Sequence, residues 1–173
     1  MRPGSEEHVM QAIIEQILKD ATAFQNGCHG LSHWNTVAAH GRTIALYEEL
    51  DAWFLRLFAY FHDCQRLSDG RDPEHGPRAA DYVMTWTPEA LEMSEDDQRR
   101  LAFACRYHTH ERQTDDKTIR ACWDCDRLDL GRVGIVVNPK FLFTETAKRI
   151  ARDKPLAQVQ DAHAPRIRRR LRR

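Results

Sequence analysis

The chain has no stretch able to cross a bilayer. Its most apolar run, Ala52 to Phe61, is too short for a span and carries Arg56. Met1 to Glu7 contains no apolar core of the kind a secretory leader needs, so the chain reads as cytoplasmic. Net charge is also missing. The 26 Lys and Arg residues balance 26 Asp and Glu, which argues against a dedicated nucleic-acid binder. The cysteines are few and odd in number: Cys28, Cys64, Cys105, Cys122 and Cys125. They read as reduced thiols rather than a disulfide framework. There is no internal repeat, no long linker and no run of alternating β-branched residues, which excludes solenoids and sheet folds.

What is present is a series of amphipathic helices. At 173 residues and 42% hydrophobic composition, the chain suits one domain with one core. Periodicity predicts a first helix from Glu6 to Phe24, broken by Gly27 and Gly30. Ser32 is the expected cap of a second, from His33 to about Leu50, and Asp51 of a third, from Ala52 to about Gln65. The third is apolar nearly all round, so it belongs at the centre. Pro73 suits the first turn of a fourth helix ending near Trp86, Ser94 caps a fifth, and a sixth runs from about Thr114 to Leu130. Asn138-Pro139 is read as the opening of a seventh. The expected domain covers residues 1–160, followed by a basic tail at 161–173 that reads as a solvated end.

The chemistry starts from Asp126. At 100° per residue, Ile119, Cys122, Trp123, Asp126 and Leu130 share one stripe of the sixth helix. A carboxylate on such a stripe needs a positive partner, either an arginine or a metal. His108 lies on the apolar stripe of the fifth helix and His75 on that of the fourth. Each taken alone is more often a satisfied core histidine. His62-Asp63 stands at the end of the third helix, where both side chains can reach one point, and Arg66 falls between them one turn on. Imidazole with carboxylate suits a borderline to hard divalent ion, namely Mn, Fe, Zn, Co or Mg. Cys122-Trp123-Asp124-Cys125 has redox spacing, but no second pair accompanies it, so these thiols are expected to pack. His8, His29 and His163 have no partner pattern, and His110 is expected to face solvent if its helix reaches that far.

Ser32-His33-Trp34, Phe61-His62-Asp63 and Trp123-Asp124-Cys125-Asp126-Arg127 together resemble the signature of the HD-domain metal-dependent phosphohydrolases, over roughly His33 to Gly134. The resemblance implies an all-α, single-domain helical bundle with a central metal held by His33, His62, Asp63 and Asp126. Glu74-His75-Gly76 and Tyr107-His108-Thr109 look like the further histidines of the two-metal branches, above all the one that cleaves dinucleoside polyphosphates. On that analogy Asp63 bridges two metals, and His75 and His108 hold the second. No Gly-Tyr-Pro segment follows the His-Asp pair, which argues against cyclic-dinucleotide cleavage.

The implied reaction is hydrolysis of a phosphoester or phosphoanhydride, with a nucleotide as the expected substrate, by attack of metal-bound hydroxide. Asp63 binds metal and orients the water, while Arg66 neutralises phosphate oxygens, with Arg71 a weaker candidate. The competing reading of Arg66 is a surface ion pair with Asp69 or Asp72. A di-iron oxygenase and a non-catalytic signalling or binding module on the same fold are the alternative functions. Retention of every ligand favours catalysis.

Overall fold

The computed structural model describes residues 3–21, 27–110 and 113–153. These form seven α-helices: α1 (Pro3–Asp20), α2 (Leu31–Glu48), α3 (Ala52–Phe61), α4 (His75–Val83), α5 (Glu95–Tyr107), α6 (Lys117–Arg127) and α7 (Glu145–Asp153). Two short 3-10 turns, Leu130–Val133 and Pro139–Phe141, lie between α6 and α7, and no strand occurs among the described residues. None of these helices is long and apolar enough to cross a membrane. The all-α architecture is the one the sequence implies. The basic tail at 161–173 and the end of the expected first helix at Phe24 lie outside the described residues.

α3 is the axis of the bundle. Phe54, Leu55, Leu57, Phe58, Ala59, Tyr60 and Phe61 are all buried, as expected for a helix apolar on every side. It touches α1, α2, α4, α5 and α6. Asp51 caps it as read, accepting from the amides of Trp53 (2.9 Å) and Phe54 (3.2 Å). The helix is shorter than expected. It ends at Phe61, and turns carry the chain through His62 and Asp63.

Other boundaries also differ. α2 begins before Ser32, on Gly30, and Ser32 is an exposed residue inside the helix whose carbonyl accepts from the Thr36 hydroxyl at 3.0 Å. Gly30 is buried, and its carbonyl takes the first helical hydrogen bond, from the Trp34 amide at 3.1 Å. Pro73 lies in a turn ahead of α4, which ends at Val83 rather than Trp86. Asp116 caps α6 by accepting from the amides of Thr118 and Ile119, so that helix starts later than Thr114. Asn138-Pro139 opens a 3-10 turn, not the seventh helix. α7 starts after Thr144, whose hydroxyl accepts from the Ala147 amide at 3.2 Å.

Two close approaches shape the bundle around the site. A Cβ at Gly41 of α2 would stand 3.3 Å from the Leu55 Cβ, and one at Gly76 of α4 would stand 2.8 Å from the carbonyl oxygens of Cys105 and Arg106. Glycine at 76 therefore lets α4 lie against the backbone of α5 and brings His75 to His108.

Asp124 is fully buried and serves the fold. It accepts from the amides of Phe143 (3.0 Å) and Thr144 (2.7 Å) and from the Thr144 hydroxyl (2.9 Å), tying α6 to the start of α7. Replacing one of its oxygens with a donor leaves a buried N–H facing another N–H. Asp124→Asn is therefore expected to lower unfolding free energy by about 2 kcal/mol. Urea denaturation reads that loss, and an unchanged midpoint would deny Asp124 its anchoring role.

Candidate metal centre

Six side chains meet where helices end. His33 lies in the first turn of α2, His62 and Asp63 follow α3, His75 opens α4, His108 follows α5, and Asp126 lies in the last turn of α6. Nε2 of His33 is 3.3 Å from Asp126 Oδ1 and 3.1 Å from His62 Nε2. Asp63 Oδ2 faces this group, 3.8 Å from His33 Nε2 and 3.7 Å from His62 Nε2. Asp63 Oδ1 turns to the other histidines, 3.2 Å from His75 Nε2 and 3.5 Å from His108 Nε2, which are 2.9 Å from each other. One carboxylate thus stands between two groups of donors.

The four rings are held alike. His33 Nδ1 donates to Asp129 Oδ2 at 2.7 Å, His62 Nδ1 to the carbonyls of Ala59 (3.0 Å) and Phe58 (3.2 Å), and His108 Nδ1 to the Cys105 carbonyl at 2.7 Å. His75 Nδ1 donates to the Asp72 carbonyl. Those carbonyls have no proton to give, and a carboxylate oxygen accepts, so the proton sits on Nδ1 and each Nε2 turns a lone pair inward. Metal-binding histidines are oriented this way. Stacking of Phe58 on His62, with centroids 5.0 Å apart, fixes that ring further.

Lone pairs 2.9 and 3.1 Å apart repel unless a cation lies between them. Burial and the neighbouring carboxylates also shift the two rings of each pair in opposite directions. Burial opposes charge on His33, but the hydrogen bonds to Asp126 and Asp129 outweigh it and raise its pKa. Its partner His62 is driven down to about 3 by burial. Burial likewise opposes charge on His108, but Asp63 outweighs it, while burial and then His108 push His75 down to about 4. Burial raises both carboxyls, yet the surrounding imidazoles hold Asp63 and Asp126 below the usual carboxylate range. Donors bound at about 2.1 Å to one ion stand about 3.0–3.4 Å apart in octahedral or tetrahedral geometry, close to the separations here. His33, His62 and Asp126, and separately His62, Asp63 and His108, each fit one ion.

Asp63, His75, His108 and Asp126 line a cleft of about 500 Å³. Asp63 is 3% exposed and Asp126 15%, so the α6 stripe leads from core to cleft rather than ending in the core. Arg66, Arg71, Arg127 and Arg132 line the same cleft, as do His29 and His110. Arg66 pairs with neither Asp69 nor Asp72. It is buried, 3.4 Å from Asp63 Oδ1, and holds the carbonyls of Ser68 (3.1 Å) and Gly70 (2.9 Å). Asp72 instead takes Arg78 at 2.6 Å. Arg71 is exposed at the rim. Because α5 stops at Tyr107, His110 reaches the cleft. Cys122 and Cys125 are buried free thiols, as their setting predicts.

Asp129, Arg132 and His29 were not legible as site residues. Asp129 lies one turn beyond Asp126, and that spacing was the available signal. His29 shows no periodic pattern at all.

No protein-family model matches the chain, and no curated protein does. The structure is similar to that of a predicted HD superfamily hydrolase from an uncultured Thermotogales bacterium, with a TM-score of 0.67 and 24% identity over 83% of each chain. The fold is therefore that of an HD-domain protein. Asp129 is expected to support metal through His33. Asp129→Asn should weaken Mn²⁺ binding by about 10- to 100-fold, read by calorimetric titration. Unchanged affinity would reduce Asp129 to a packing residue.

Proposed function

We propose that the chain is a metal-dependent phosphohydrolase that cleaves a phosphoester or phosphoanhydride of a nucleotide, with two metals in its site. The observation that carries this reading is the placement of Asp63. Its Oδ2 belongs to the His33, His62 and Asp126 group, and its Oδ1 to His75 and His108. A bridging carboxylate between two imidazole-rich donor sets is what a dinuclear centre requires. Bound there, divalent ions neutralise phosphate charge and bring the pKa of water down from about 15.7 toward 7–9.

The chain's own residues do the rest. His33, His62 and Asp126 would hold one ion, His75 and His108 the other, and Asp63 both. Arg66, braced by two loop carbonyls, presents its guanidinium beside Asp63 without needing to reorganise when a phosphate arrives. Arg71, Arg127 and Arg132 add positive charge along the cleft, where planar guanidinium groups match phosphate oxygens. Leu130 and Phe141 line the same cleft and offer an apolar surface of the kind a nucleobase takes. The hydrolase description of the similar Thermotogales protein agrees with this reading.

Metals per chain, counted by plasma mass spectrometry on protein prepared without chelator or histidine tag, test it directly. About two equivalents are expected, with losses in both His62→Ala and His108→Ala. Asp63→Ala should lose both ions and at least about 1,000-fold of nucleotide hydrolysis, while circular dichroism keeps its helical signal. A wild-type chain that takes up no metal after exposure to Mn, Fe, Zn, Co or Mg would remove the catalytic reading.

A further inference from the structure

The metal reading leaves one built feature of the cleft without a role. The turn at Gly27–His29 folds around the carboxylate of Asp69. Oδ2 accepts from the Cys28 amide at 3.2 Å, and Oδ1 accepts from the His29 amide at 3.3 Å and from its Nδ1 at 3.2 Å. A Cβ at Gly27 would stand 2.0 Å from Asp69 Oδ2, so the turn closes on the carboxylate in this way because position 27 is glycine. Two further contacts brace the arrangement. Arg132 Nε donates to the Cys28 carbonyl at 2.8 Å, and Arg66 holds Ser68 and Gly70 on either side of Asp69. Three separate segments are thereby arranged around a single imidazole.

That imidazole faces the cleft. His29 lines it, edge-on to His33 with ring centroids 6.2 Å apart. Its Nδ1 is engaged by Asp69, with Cys28 Sγ also 3.2 Å away, and no hydrogen bond among the described residues reaches its Nε2. A carboxylate that fixes one nitrogen of a histidine and leaves the other toward a ligand cavity orients that second nitrogen for whatever occupies the cavity.

We propose that His29 contacts the substrate, its Nε2 hydrogen-bonding an oxygen of the phosphate group in the cleft, and that Asp69 is the positioning residue that aims it. The proposal rests on the phosphohydrolase reading. With the Nδ1 proton directed at Asp69, Nε2 accepts from a P–OH or a substrate hydroxyl, a contact the arginines, which only donate, cannot make. Cys28, His29 and Asp69 also have the spacing of a cation site. However, both Asp69 oxygens already accept N–H groups, so the substrate role is the one the geometry favours.

The test is calorimetric titration of inorganic phosphate into the Zn²⁺-loaded full chain, with metals per chain counted on the same samples. His29→Ala is expected to weaken phosphate about 5- to 10-fold, the loss of one hydrogen bond, with metal content unchanged. Asp69→Asn should weaken it by a similar factor, and the double variant should be no weaker than His29→Ala alone, because Asp69 acts through the ring. His29→Gln, which keeps a hydrogen-bonding group, should recover part of the affinity. Tight phosphate binding that His29→Ala leaves untouched overturns this inference alone. Additive losses make Asp69 a residue of loop folding and overturn its positioning role. A metal equivalent lost with His29→Ala makes the ring a metal ligand instead and overturns the proposal. Failure of the metal-loaded wild-type chain to bind phosphate overturns the phosphohydrolase reading, and this proposal with it.

Discussion

Everything near the cleft depends on how four imidazoles are fixed. Each commits its Nδ1 proton to an acceptor outside the site, three to backbone carbonyls and one to Asp129. The acceptors decide the tautomer, and the tautomer decides that four lone pairs converge on two carboxylates at largely buried positions. Such an arrangement is unfavourable when empty of positive charge. Burial and the nearby carboxylates shift the rings of each pair in opposite senses, His33 and His108 up and His62 and His75 down.

The bundle delivers these groups by stopping helices at the right places. Carbonyls near a helix end lack intrahelical partners, and two of the rings use such carbonyls: His62 takes that of Ala59, and His108 takes that of Cys105. Ending α3 at Phe61 and α5 at Tyr107 therefore creates both the position and the acceptor in one step. α6 divides its carboxylates by two residues' rotation. Asp124 turns inward to anchor the C-terminal helix, and Asp126 turns to the cleft floor.

Much of this was legible in the sequence. The helical class, the central place of the third helix and the caps at Asp51 and Ser94 follow from periodicity and from residues that bond their own backbone. The convergence of His33, His62, Asp63, His75, His108 and Asp126 follows from a motif that spaces them along the chain. What could not be read is what depends on tertiary placement. Ser32 is as good a cap as Ser94 by residue type, but burial of Gly30 moved the start of α2. Of the two readings of Arg66, phosphate contact or a surface ion pair, the second fails because the 68–70 loop folds back over it and buries it. His29 carries no periodic signal, since its partner Asp69 lies 40 residues away in a loop.

The donors' scatter along the chain has a mechanical consequence. They come from five helix ends, so ions held there would tie several long loops together at once. The unfolded chain holds no such site, so ions at 100 times their dissociation constant would add about 2.7 kcal/mol of stability to the folded state for each independent site. Release of an ion then requires helix ends to separate rather than a single side chain to swing away. Loading would accordingly be coupled to how firmly the bundle is closed, and the chain's resistance to unfolding would become a measure of the metal supply around it.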